Sequence, residues 1–326
     1  MKKSPAFKFI SILAATVFML AALNAQPAFS APFASRTLYN LATASLGGAY
    51  YVIGTGVAEI LTQNVNNLQV NSIISPGSTG NPRIVDSGEA EIGMTNYFSA
   101  WNAINGNAPY NTVLKIGGIC PLQESAFHIV ISNASGIKVF ADLKGKSVNI
   151  GPAGGGGALI WDVIIPYWGL TNQNVVISNL AYNDGAEALN DNKLDVNLPH
   201  GAWPMEAVSM SITLGSSRLI SLEPEIVGKV LVDFPFYHMA TIPANTYTGI
   251  DYPVTTMGSR DILFVSMDMN EDEAYIITKT LYENLEALRA VHPALSHMKF
   301  DGYMHSVVPL HPGALRFYQE RNIPLN

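Results

Sequence analysis

"LYNLATASLGGAYYVIGTGVAEI" spans Leu38 to Ile60. Residues 38–43 read as an apolar strand, and residues 49–65 as a helix with Val57, Ile60, Leu61 and Val65 on one face. Between them, Ser45-Leu46-Gly47-Gly48-Ala49-Tyr50-Tyr51 carries no Lys, Arg, His or Cys. A helix start offers backbone N–H groups without intrahelical partners and about half a positive charge. A glycine turn leading into one can therefore grip an anion with main chain and hydroxyls, without a charged side chain.

The unit recurs along the chain. Residues 70–74 read as a strand, "PGSTGNP" as a turn, 83–87 as a short helix closed by Gly88, and 90–94 as a strand. Further on, 127–132, 146–150, 175–180 and 194–198 read as strands, with helices at 158–168 and 184–190. This βαβ alternation predicts an α/β fold with mostly parallel sheets flanked by helices. Asn270-Glu271-Asp272-Glu273 reads as a capping box with an acidic first turn. Ala274, Ile277, Leu281, Leu285 and Leu288 follow as a core-facing stripe.

The N-terminus reads as a cleaved export signal at residues 1–30. Lys2, Lys3 and Lys8 precede an apolar run over 9–23, and Ala28-Phe29-Ser30 supplies small residues before a cut after Ser30. The roughly 296 residues beyond it exceed one ordinary core. Two lobes are expected: 31–124 and 239–326 forming the first, 125–238 the second, with hinges near 121–125 and 235–238. Cys120 is the single cysteine, so no internal disulfide can form, and an exported chain without one fits a bacterial periplasm. The net charge is −7 for the full chain and near −10 once three lysines leave with the signal. Such an acidic chain has no electrostatic footprint for nucleic acid.

Three turns join a strand to a helix: residues 45–51, 76–81 and 151–157. Gly154-Gly155-Gly156-Gly157 lacks the Lys-Ser/Thr of a phosphate loop and misses the dinucleotide spacing. The sequence points to no catalytic residue, metal site or cofactor. There is no G-x-S-x-G elbow and no H-E-x-x-H, and the late histidines lack tight ligand spacing. Asp268-x-Asn270-x-Asp272 departs from a calcium loop at Glu273 and Lys279 and reads better as a helix cap. Cys120 reads as a buried small hydrophobe.

In order, "ATASLGGAYYVIG", "GSTGNPRIVDSGEAEIG", "GPAGGGGA", "IPANTYTG" and "LHPGALRFYQE" resemble the motifs of the TAXI-family solute receptors of tripartite ATP-independent periplasmic (TRAP) transporters. The resemblance covers essentially the whole mature chain. It implies a type II-like, Venus-flytrap periplasmic binding protein, non-enzymatic, that closes on a small solute and delivers it to TRAP membrane subunits. The implied solute is an organic acid, a dicarboxylate or a glutamate-like molecule. By position, Ser45, Gly47, Gly48, Tyr50 and Tyr51 would form the first wall, and Ser78, Thr79 and Asn81 the second. Asn96 stands where the family often has Gln. Gly155, Gly156, Gly157, His200, Gly201 and Trp203 would come from the other lobe. The chain has Thr95-Asn96-Tyr97 where the family often has "QSD", which removes an acid able to meet an ammonium group and favours a carboxylate without an amine. Arg83 is a further candidate for a carboxylate, set against a solvated helix face. The rival functions are a sensory module that reports occupancy to a signalling partner, and a hydrolase on the same fold.

Overall fold

The computed structural model describes residues 32–325. The signal segment read at residues 1–30, with its cut after Ser30, lies outside them. Among the described residues, no helix is long and apolar enough to cross a membrane.

The opening stretch folds as a strand and a helix. Strand β1 (Thr37–Ala42) passes through the glycine turn into α1 (Ala49–Asn64), which buries Val57, Ile60 and Leu61. Gly54 lets α1 lie close on the strand, because a Cβ there would meet the Thr43 methyl at 2.4 Å. Next come β2 (Leu68–Ile73), α2 (Asn81–Asp86), β3 (Ile92–Asn96) and α3 (Tyr97–Asn105). The Asn96 side chain caps α3 by accepting from the Ser99 N–H at 2.7 Å.

Two sheets result. The first has the order β2-β1-β3-β12-β4-β9, with β4 at Ile116–Phe127, β9 at His200–Gly201 and β12 at Val254–Ser266; β11 (Tyr237–Ile242) also pairs with β12. The second has the order β10-β5-β8-β6-β7, with β5 at Val130–Ser132, β6 at Ser147–Asn149, β7 at Val176–Ser178, β8 at Val196–Asn197 and β10 at Ser217–Leu219. The chain leaves the first sheet after Phe127, touches it again at β9, and returns at Tyr237. The architecture is α/β, two sheets flanked by helices. Parallel pairing is confined to β2-β1-β3 and β8-β6-β7, and the remaining pairs are antiparallel. The sequence reading of mostly parallel sheets is corrected accordingly. It took no account of β11, β12 and most of β4, whose long antiparallel run dominates the first sheet.

Other boundaries shift for local reasons. The expected strand at 127–132 is split at His128-Ile129, where the chain crosses between sheets. The expected helix at 158–168 is α4 (Gly156–Ile164) followed by a 3₁₀ turn around Pro166, which cannot donate a helical hydrogen bond. It is followed by α5 (Tyr182–Asn190), α6 (Glu206–Thr213) and α7 (Pro224–Asp233). The late helix breaks into α8 (Glu271–Glu283) and α9 (Leu285–Val291), because the Asn284 amide bonds back to the Thr280 carbonyl at 2.9 Å. Asn270 caps α8 by accepting from the Asp272 N–H at 2.8 Å. Leu41, Ile53, Ile92, Leu263 and Phe264 lie in the core of the first sheet; Phe127, Val148, Ile160, Trp161 and Val196 lie in that of the second.

Candidate functional site

The cleft between the sheets is built from the glycine turns. Helices α1 and α4 start at Gly48 and Gly155, and neither start has a side-chain cap. Both residues line one cavity of about 20 Å³, together with Ser45, Tyr50 and Ser78 from one side and Gly156, His200 and Gly201 from the other. That volume admits about one water molecule, so the walls must part to receive a solute. The Ser78 hydroxyl donates to the Tyr50 hydroxyl at 3.2 Å, and the buried Ser45 Oγ makes no hydrogen bond within the protein.

The second turn does something other than line the cavity. The Thr79 and Gly80 N–H groups both donate to the Gly154 carbonyl, at 3.0 and 3.1 Å. This start of α2 is therefore a latch between the two glycine turns. Gly47 is also a contact between the lobes: its φ is +84°, and a Cβ there would sit 2.0 Å from Asn183 Oδ1 on α5. Gly157 packs beneath the Tyr182 hydroxyl, to which its N–H donates.

Asn81 is committed to the scaffold. Its amide donates to the carbonyls of Ala42, Thr43 and Met94 at 3.1, 2.8 and 2.7 Å, and its Oδ1 accepts from the Ser75 hydroxyl at 2.6 Å. It ties the ends of β1 and β3 together and has no spare group for a solute. Asn96 acts as the α3 cap, with its Nδ2 buried and unpartnered. Thr79, Asn81, Asn96, Gly157, Gly47 and Tyr51 do not line the cavity; of the tyrosine pair, Tyr50 does. Trp203 lines a separate cavity of about 670 Å³ with Tyr97, Gln123, Arg260, Asp261 and Lys299. Arg83 donates to the Pro109 carbonyl at 2.5 Å and lies 4.7 Å over the Tyr110 ring, which holds it at the α2–α3 side of the molecule.

Beneath the cleft runs a buried polar floor. His200 lies beside Gly156, and its Nε2 pairs with the Ser259 hydroxyl at 3.2 Å; burial pushes its imidazole down to about 3, so it is neutral at pH 7. His128 is lowered to about 4 by burial, and its Nε2 pairs with the Tyr247 hydroxyl at 2.8 Å. Asp261, on β12, stands opposite Asn96 on β3. Its Oδ2 accepts from the Gln123 amide at 2.9 Å and from the Ser125 hydroxyl, and burial pushes the carboxyl up to about 7. Sequence reasoning missed Asp261, Gln123, Tyr182 and Asn183. The available signal was polar residues recurring through the otherwise apolar strand Val254–Ser266, obscured by register shifts at Arg260/Ile262 and Leu263/Phe264.

Known proteins place this geometry in context. A solved protein of Bordetella bronchiseptica RB50 is 14% identical, with 86% of this chain and 82% of that chain covered and a TM-score of 0.51; it shares the fold. The alkanesulfonate-binding protein SsuA from Xanthomonas axonopodis pv. citri, bound to MOPS, is 13% identical over 90% of this chain and 82% of that one, with a TM-score of 0.48. The substrate binding protein of an amino acid ABC transporter is 9% identical over 78% and 97% of the two chains, also with a TM-score of 0.48. The sequence pattern of the NMT1-like family matches residues 41–321, nearly all of the described structure, and the chain belongs to that family.

Proposed function

We propose that this chain is an exported solute receptor of the periplasm that captures a small carboxylate by lobe closure and hands it, unaltered, to TRAP membrane subunits. One observation carries the reading: two uncapped helix starts, one from each side of the cleft, line the same small cavity. Each brings first-turn N–H groups and the positive end of a helix dipole to the cavity, which suits an anion. Because the donors come from both sides, a solute that bridges them stabilises the closed form over the open one. The Gly154 latch then re-forms over the bound solute and excludes water. On this reading the lobes are residues 31–124 with 239–326, and 125–238. The TAXI-like motifs supply the TRAP partner and the carboxylate class.

The test is a thermal-shift screen of mono- and dicarboxylates against the mature protein. A solute at about 100 times its dissociation constant adds about 2.7 kcal/mol to stability. The Ser78→Ala variant removes the hydroxyl that bonds Tyr50 at the cavity wall. It is expected to lose at least half of the shift while melting, unliganded, within about 2 °C of the parent. An equal shift in both proteins removes Ser78 from the site. Mass spectrometry of the released solute should return it unchanged; a converted product would mark an enzyme instead.

A further inference from the structure

We infer that the cavity between α3 and α4 is a second ligand site, for a small molecule that joins an aromatic body to an amine. The inference goes beyond the solute-receptor reading and does not depend on it.

The cavity measures about 650 Å³, within the ordinary range of small-molecule sites, and shares no residue with the one at the glycine turns. Phe98 and Asn102, one turn apart on α3, wall one side; Leu159, Asp162 and Val163 of α4 wall the other. Phe234, just past α7, closes the end with its ring edge-on to Phe98 at 5.7 Å. A ligand ring laid among Phe98, Phe234, Leu159 and Val163 is removed from water on both faces, which supplies the drive to bind.

Two polar features say what the ring must carry. Asn102 is 4% exposed, yet its side-chain amide makes no hydrogen bond among the described residues. Asn105 on the same helix donates back to the Trp101 carbonyl at 2.8 Å; Asn102 makes no such bond and faces the cavity instead. A buried amide left unmade is costly, and its oxygen is ready for a ligand's N–H. The charge at the rim is one-sided. Among the described residues, no lysine, arginine or histidine lines the cavity, whereas Asp162 does, holding a single long bond from the Asn172 amide at 3.4 Å. Tyr167 lines it too, and its hydroxyl donates to Asp233, a second carboxylate close by. An amine there meets opposite charge, and a carboxylate meets like charge and is refused. This preference is the reverse of that at the helix starts, so the two cavities sort ligands by sign.

The test measures dissociation constants by calorimetry at pH 7.5, where an alkylamine carries its charge. The probes are 3-phenylpropylamine, its alcohol counterpart 3-phenylpropan-1-ol, and propylamine, which has the head without the body. The parent is expected to bind the aryl amine about fivefold more tightly than the alcohol, the scale of an ion pair at an exposed rim, and about tenfold or more above propylamine. Asp162→Asn, at an exposed position, should bring amine and alcohol within about twofold of each other. Leu159→Trp, which fills the cavity from α4, should cut the aryl amine's affinity about tenfold. Asn102→Leu, which loses no internal hydrogen bond, should weaken amine and alcohol alike by about threefold. Equal binding of amine and alcohol by the parent overturns the assignment of charge, and this arm needs no variant to fold. Undiminished binding in Leu159→Trp or Asn102→Leu overturns the assignment of the cavity, and no binding by either aryl probe overturns the inference outright. The receptor reading is decided separately, by the carboxylate shift and its loss in Ser78→Ala.

Discussion

Asn81 separates two jobs that one residue type can do. In linear sequence it sits in a glycine turn ahead of a helix, among hydroxyls, and reads as a solute ligand. In the folded protein its side chain makes four hydrogen bonds at zero exposure, three of them to carbonyls at the ends of β1 and at Met94 of β3. Removing it strands buried acceptors, each costing about 1–3 kcal/mol. Asn81→Ala is therefore expected to destabilise the unliganded protein by about 3 kcal/mol, read as a lower denaturant midpoint at unchanged slope. A melting curve that superimposes on the parent's would return Asn81 to the solute. Ser78, three residues earlier in the same loop, has the opposite profile: one long side-chain hydrogen bond to Tyr50 and a place on the cavity wall.

At the scale of elements, the helix starts carry the site, and what stands opposite each start decides its use. The starts of α1 and α4 face the cavity; the start of α2 is closed by the Gly154 carbonyl. Gly47, just ahead of α1, meets Asn183 at the start of α5 across the cleft. A methyl at Gly47 costs about 1–2 kcal/mol in left-handed backbone and collides with Asn183 only when the lobes are together. Gly47→Ala is accordingly expected to weaken solute binding about tenfold and to blunt the solute-induced fall in radius of gyration seen by small-angle scattering. Adding Asn183→Ala removes the collision and should restore most of the compaction, because the two changes couple through one contact. Additive losses would place the fault in the turn itself.

For the whole molecule, the buried titrating floor sets how stability varies with pH. The folded protein holds a proton on Asp261 up to about pH 7, whereas the unfolded chain releases it near 3.8, so this group makes stability fall as pH rises between those values. His128 and His200 are held neutral down to about 4 and 3, whereas the unfolded chain protonates them below 6.5, so they make stability fall as pH drops through that range. Between about pH 4 and 6.5 two histidines oppose one carboxyl. Each contributes a slope of about 1.4 kcal/mol per pH unit, and their net effect raises stability with pH. Asp261→Asn should steepen that rise and His200→Gln should flatten it, measured as unfolding free energy against pH relative to the parent. Parallel profiles for parent and Asp261→Asn would show the carboxyl already ionised in the fold.

Local grammar made much of this protein legible from its sequence. The apolar stripe of α1, the Asn270 cap and the glycine turns between strands and helices are all interactions within a few residues along the chain. The α/β class follows from them, and so does the placing of Ser45, Gly48, Tyr50, Ser78, Gly155 and Gly156 in turns after strands, whereas His200 and Gly201 came only from the family resemblance. Pairing across the chain decided the rest. Whether Asn81 holds solute or scaffold depends on carbonyls about 40 residues upstream; whether the α2 start is open depends on Gly154; and the acid beside Asn96 arrives from β12, 165 residues away along the chain. Periodicity reports which face of an element is buried, but it carries no record of which distant donor or charge will be buried against it, and in a cleft between two sheets that partner determines the chemistry.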